Sequence, residues 1–110
     1  MYLFDRLMTH KVDIYRVEVD AFGDETFLYQ STERCFFEYN ERRKFTRDGT
    51  EVTSTALLFL PHDSAYDPSL DGQRWQFIDV KNNRTLQLLE PQIIDDPRTG
   101  RTHHYELFLQ

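Results

Sequence analysis

Four basic residues, Arg42, Arg43, Lys44 and Arg47, fall within six positions of this sequence, with the aromatic Phe45 among them. Cations interleaved with an aromatic ring can follow a phosphate backbone and stack a base, with Tyr39 and Trp75 as further stacking candidates. The same stretch also carries Glu41, Asp48 and Glu51, so between residues 41 and 54 four positive charges meet three negative ones. Such alternating signs suit a protein–protein contact equally well, because subunits in a ring can set the cations of one copy against the acids of the next. A solvated hairpin tip would have the same composition. The whole chain has a net charge of −6, which argues against general affinity for nucleic acid or anionic membranes and confines any phosphate contact to this stretch.

Other groupings point to less. His103, His104 and Glu106 lie close together, and Asp95 and Asp96 stand across an expected hairpin. On a strand His104 and Glu106 face the same way, which is two ligands of a metal site and no more; no cysteine pair or HExxH helix completes it. Nineteen acidic residues bring some carboxylates together by chance, and no cleft that would separate their pKa values can be located. There is no GxSxG elbow and no phosphate-cradling glycine loop. The one cysteine, Cys35 in "ERCFFEY", excludes an intrachain disulfide and reads as a buried, inert thiol on a strand. The expectation is a protein without catalytic residues, metal or cofactor, made in the cytoplasm.

The elements that must position these residues are strands. The 110 residues suffice for one domain, and the 39% hydrophobic and 15% aromatic content describes a soluble, aromatic-rich fold. The four glycines sit in "FGDE", "RDGT", "LDGQ" and "RTGR", each a turn signal. Between them run period-two patterns. In "KVDIYRVEVD" the apolar parity changes from Val12 and Ile14 to Val17 and Val19, which predicts a bulge or bend near Tyr15 and Arg16. "TFLYQ" and "RCFFEY" follow as strands. "EVTSTALLFLP" begins polar and β-branched and ends apolar on both faces, so it should start outside the body and run into the core before Pro61 stops it. "HDSAYDPSLDG" is a loop and "QRWQFIDV" a strand. Asn82 and Asn83 turn into "RTLQLLEP", and a hairpin pairs "QIIDD" with "THHYELFLQ" across "PRTG". Only "YLFDRLM" reads as helical, and it lacks the apolar core of a signal peptide; no run reaches the ~18 apolar residues of a membrane helix. The predicted fold class is all-β, residues 1–110 forming one small closed β-barrel or sandwich with a short N-terminal segment and a long projecting loop over about residues 41–54.

The order "H-x-V-x-I-Y-R" strand, "TFLYQST", an aromatic strand, the loop "ERRKFTRDGTEVTSTALLFLP", "GQRWQFIDV" and the closing "RTGRTHHYELFLQ" resembles the head-closure (stopper, or head-completion) proteins of the head–tail connector in long-tailed bacteriophages, and their prophage-encoded minor capsid relatives. The resemblance runs over nearly the whole chain and rests on strand and loop order with short signatures such as "DGTEV", "FLP" and "HHYEL". It implies a small β-barrel of the virion neck, without chemistry or cofactor. Such a protein assembles as a ring of six or twelve copies beneath the portal and its adaptor, retains packaged DNA and offers a surface to the tail. It further implies that the loop projects into the central channel, with Arg42, Arg43, Lys44, Phe45, Arg47, Asp48, Thr50, Glu51 and Thr53 meeting sister subunits or the end of packaged double-stranded DNA. The alternatives are a single-stranded nucleic-acid-binding barrel and a neighbouring neck component such as a tail-completion protein.

Overall fold

The computed structural model describes residues 8–45, 48–69, 74–95 and 97–110, with Lys44 and residues 90–93 as backbone only. Its strands are β1 (His10–Val19), β2 (Glu25–Phe45), β3 (Glu51–Pro61), β4 (Arg74–Asp79), β5 (Arg84–Asp95) and β6 (Thr102–Leu109). All pairings are antiparallel, in the order β1-β2-β3-β6-β5-β4, and β4 returns to β1 to close a barrel. The all-β expectation therefore holds.

Two long strands close the barrel by changing partners. β2 pairs with β1 up to Cys35 and with β3 from Phe36 onward. β5 pairs with β4 up to Gln87 and with β6 from Leu88 onward. "TFLYQ" and "RCFFEY", expected as separate strands, are thus one strand, and so are "RTLQLLEP" and "QIIDD". Bulges make this feasible, because an extra residue bends a strand and increases its twist. Gln30 is the extra residue opposite Ile14 and Tyr15; a further shift lies between Tyr39 and Arg42, and others between Leu88 and Glu90 and between Ile94 and Asp95. Pro91 is tolerated inside β5 because that half of the strand has left β4, so its missing N–H interrupts no ladder on that side.

The bend expected in β1 falls where the parity change placed it, between Ile14 and Tyr15, but the inserted residue belongs to β2. β1 itself keeps an unbroken register with β4 from Val12 to Val17. Val12 and Ile14 consequently enter the core, while Val17 is buried on the opposite face and Val19 is half exposed.

The core is built from cross-strand rows on the inward parity. Ile14, Phe77 and Leu86 stand side by side on β1, β4 and β5. Phe37, Leu58 and Leu107 do the same on β2, β3 and β6. Ile14, Leu58, Phe77 and Leu107 are completely buried. Tyr66, from the loop after β3, plugs the barrel, with its ring against Trp75 (5.1 Å between centroids), Tyr105 (5.4 Å) and Phe77 (6.3 Å). Ser54 is buried where β3 enters the body; its hydroxyl lies 3.0 Å from the Ala56 carbonyl and 3.1 Å from that of Leu109, a bifurcated bond. The expectation that the apolar half of β3 is covered on both faces holds at Leu57, which with its partner Phe108 points away from Leu58 and Leu107 and is nonetheless buried, while Phe59 on the same face is half-buried. Of "YLFDRLM" only Met8 is described, buried and accepting a hydrogen bond from Arg34 Nε at its carbonyl (3.1 Å); the helical reading lies outside the described residues.

Candidate functional site

The segment expected as a projecting loop is mostly a two-stranded ribbon. β2 and β3 remain paired from Arg42↔Ser54 to Phe45↔Glu51, and Gly49, with φ of 85°, lies in the connecting turn. β1 follows β2 only to Cys35, and β6 meets β3 only from Ala56. Among the described strands, none pairs with the outer edges of the ribbon. These 39–45 and 51–55 edges therefore carry backbone donors and acceptors that another chain could meet.

Register sorts the site residues onto two faces. Arg43, Phe45, Glu51 and Thr53 share one, and Arg42, Val52 and Ser54 share the other. Phe45 is 68% exposed. Two of the cations already meet acids of their own ribbon: Arg42 Nη2 lies 3.3 Å from Glu38 Oε1, and Arg43 Nε lies 3.4 Å from Glu51 Oε1. Exposed pairs of this kind contribute about 0–1 kcal/mol, so another acid or a phosphate could replace the partner at little cost. Asp48 accepts a hydrogen bond from the Thr50 N–H (3.1 Å) and shapes the turn. Of the remaining candidates, Arg47 and the side chain of Lys44 lie outside the described residues.

The root of the ribbon is held by a cluster that the sequence reading did not identify. Asp79, at the end of β4, is buried to 2% exposure. Its Oδ2 accepts from the Tyr39 hydroxyl (2.5 Å) and Asn82 Nδ2 (2.7 Å), and its Oδ1 from the N–H groups of Lys81 (3.1 Å) and Asn82 (3.4 Å). Burial opposes ionisation of this carboxyl, but the four hydrogen bonds outweigh it and hold its pKa below the usual range. Tyr39 is pushed up to about 12 by burial, the hydrogen bond to Asp79 and the Asp79 charge. The Arg84 guanidinium lies over the Tyr39 ring, 4.6 Å from its centroid. Asp79 thus fixes the β4–β5 turn, where Asn83 takes φ of 52°, and ties that turn to β2 at the bulge where the ribbon begins. The signal was present: Asp79 shares the inward parity of Trp75 and Phe77, which is unusual for a carboxylate unless it is bonded.

The other sequence candidates do not join this site. Trp75 is 5% exposed and packed against Tyr66, so it offers no free face for stacking a base. Cys35 is fully buried; burial, with the charges of Asp79 and Glu33, pushes its thiol pKa up and keeps it protonated. His104 Nε2 approaches Glu106 Oε2 (3.0 Å) and its Nδ1 approaches His103 Nδ1 (2.8 Å), so both ring nitrogens of His104 are engaged. Among the described residues, no group of three or more His, Cys, Asp or Glu is placed to hold a metal ion, and Asp96 lies outside them. Compared with known proteins, the chain matches no family model, no curated protein and no solved structure.

Proposed function

We propose that this chain is a structural subunit of the neck of a long-tailed bacteriophage, forming a ring between portal or adaptor and tail that closes the head and retains DNA. The observation that carries this reading is the ribbon of residues 39–45 and 51–55, a two-stranded arm whose outer edges pair with none of the described strands, rooted in a barrel by Asp79 and Ser54. The resemblance in strand and loop order supplies the setting in which such an arm has a use. In a ring, arms from several copies converge on one channel. Cations that are only weakly held within one copy, such as Arg42 and Arg43, can then face acids of the next copy or the phosphates at the end of the packaged DNA. The rest of the chain is acidic, the whole carrying a net charge of −6, and would let DNA pass without adhering to the walls.

The test is joint replacement of Arg42, Arg43, Lys44 and Arg47 by serine in an infectious phage. The thermal melt of the purified variant should match the parent, while particles lose DNA or fail to join tails. Normal particle yield and infectivity would overturn the assignment of the arm. A second reading, a single-stranded nucleic-acid-binding barrel, draws on the exposed Phe45 beside Arg43. It requires salt-sensitive binding of single-stranded DNA, and a flat low-salt anisotropy titration eliminates it.

A further inference from the structure

The hairpin joining β1 and β2 ends in a large aromatic residue that faces outward. Phe22 is 90% exposed. Its turn, by contrast, is tightly built. Asp20 Oδ1 accepts from the N–H groups of Phe22 and Asp24 (both 2.9 Å), the Asp20 N–H donates to the Asp24 carbonyl (3.0 Å), the Gly23 N–H donates to the Asp20 carbonyl (3.1 Å), and Gly23 takes φ of 84°. A ring held on so constrained a turn loses little freedom when it is buried.

A cavity of about 220 Å³ lies on the same molecule, lined on its apolar side by Val17, Phe27, Trp75, Leu88 and Leu89. It forms where β5 leaves β4 after Gln87 and turns to β6, which parts the sheet beside the first residues of β4. A wholly apolar cavity of ~150 Å³ holds a benzene ring, so by volume this partly polar one has room for a phenylalanine side chain. Its polar lining is Arg74, Gln76 and Gln87, all hydrogen-bond donors. The hairpin that presents Phe22 carries Glu18, Asp20 and Asp24. Arg74 already holds Glu25 through Nη1 at 2.7 Å, and a guanidinium has further N–H donors to offer a second carboxylate. Size and charge are therefore compatible. Phe22 stands five residues along the ribbon from both Val17 and Phe27, a distance of roughly 15 Å on an extended chain, so it cannot fill the cavity of its own molecule.

We propose that Phe22 of one copy seats in the Val17–Trp75–Leu88 cavity of a second copy, with Asp20 and Asp24 against Arg74 of that copy, and that this knob-and-pocket contact is how the chain self-associates. The proposal shares with the neck reading only the statement that copies associate, and it assigns that association to a different part of the molecule from the arm.

The experiment is sedimentation equilibrium of the purified full chain over a wide concentration range. The parent should gain mass with concentration. Phe22→Asp should weaken association by at least tenfold, and so should Leu89→Asp at the pocket wall. Gln87→Glu, at an exposed position, serves as a second pocket variant should the circular dichroism of Leu89→Asp show that it fails to fold. An equimolar mixture of the Phe22→Asp chain, which keeps its pocket, with the folded pocket variant, which keeps its knob, should recover association. Association of Phe22→Asp equal to the parent, or no recovery in the mixture, overturns the knob-and-pocket contact while leaving the neck reading to its own infectivity test. A parent that stays monomeric at every concentration also overturns it.

Discussion

Replacing Asp79 by alanine tests whether the arm is anchored as described. Of the four hydrogen bonds that the carboxylate accepts, those to the exposed β4–β5 turn amides of Lys81 and Asn82 are the longer ones at 3.1 and 3.4 Å, and both amides can turn to water. The short bonds from the Tyr39 hydroxyl and Asn82 Nδ2 carry most of the effect. Hydrogen bonds to a charged group contribute about 1.5 kcal/mol each at the low end of their range, so the two together give ~3 kcal/mol. A chain of this size unfolds in urea with a slope of ~1.5 kcal/mol per molar, so the midpoint should fall by ~2 M. Trp75, the single tryptophan and buried, reports the transition by its emission. Tyr39→Phe should lose a part of the same energy, and the double variant should show a coupling of about 1–2 kcal/mol between the two sites. Amide hydrogen exchange should rise more over residues 40–45 and 51–55 than in the core rows, because the clamp sits at the root of the ribbon.

The pH dependence of the same clamp has a definite sign. The folded pKa of Asp79 is depressed, so its contribution is fully present above the unfolded carboxylate value of about 3.9 and is lost as pH falls through the lower folded value. An Asp79→Asn chain should lack that share of the acid-side loss. A midpoint shift below ~0.5 M for Asp79→Ala, with the urea slope unchanged, would refute the anchoring argument, because the short bonds would then be offset by the cost of burying the charge.

Two further outcomes follow from burial. Tyr66→Ala removes the ring that plugs the barrel against Trp75, Phe77 and Tyr105; loss of a buried aromatic costs about 3–5 kcal/mol, and urea titration of the purified variant should show it together with a red shift of Trp75 emission. Cys35, fully buried with its thiol pKa raised, should react with a disulfide reagent only at the rate of unfolding, and quickly once urea is present; fast labelling of the folded chain would contradict the placement of β2.

Strand β3 was legible because its two halves differ in composition as well as period: the polar threonines mark the arm and "ALLFL" marks the part that runs in the body, buried except for the half-buried Phe59. β6 was legible for the same reason. The continuity of β2 was not, because a bulge at Gln30 moves the inward set from Leu28 to Ser31, Glu33 and Cys35, and a parity change looks the same in a sequence whether a strand bends or ends. Tyr66 was missed because one aromatic among polar loop residues has no period to betray it. Asp79 could have been found, since inward parity on an otherwise apolar strand is a signal; of its three partner residues Lys81 and Asn82 are local, but Tyr39 lies 40 positions away on β2 and only the fold brings it there.

In the proposed assembly the arm and the hairpin knob would divide the work along physical lines. An edge of unpaired backbone is an aggregation hazard, and alternating charge is one way to contain it. The described part of the arm has that device: Arg43 and Glu51 lie on one face and are paired with each other. An arm protected in this way does not gather copies by itself, because each strand added must first displace the ion pair between Arg43 and Glu51. Phe22 has no such protection. If the knob brings copies together, the arms then meet at the high effective concentration that tethering provides, and edge pairing that is negligible between free chains becomes favourable. An order of events follows from the two proposals together: Phe22→Asp should weaken association by at least tenfold and with it everything the arms do, whereas the fourfold serine arm should still associate and lose only the later function. An arm variant that abolished association in the sedimentation assay would reverse that order.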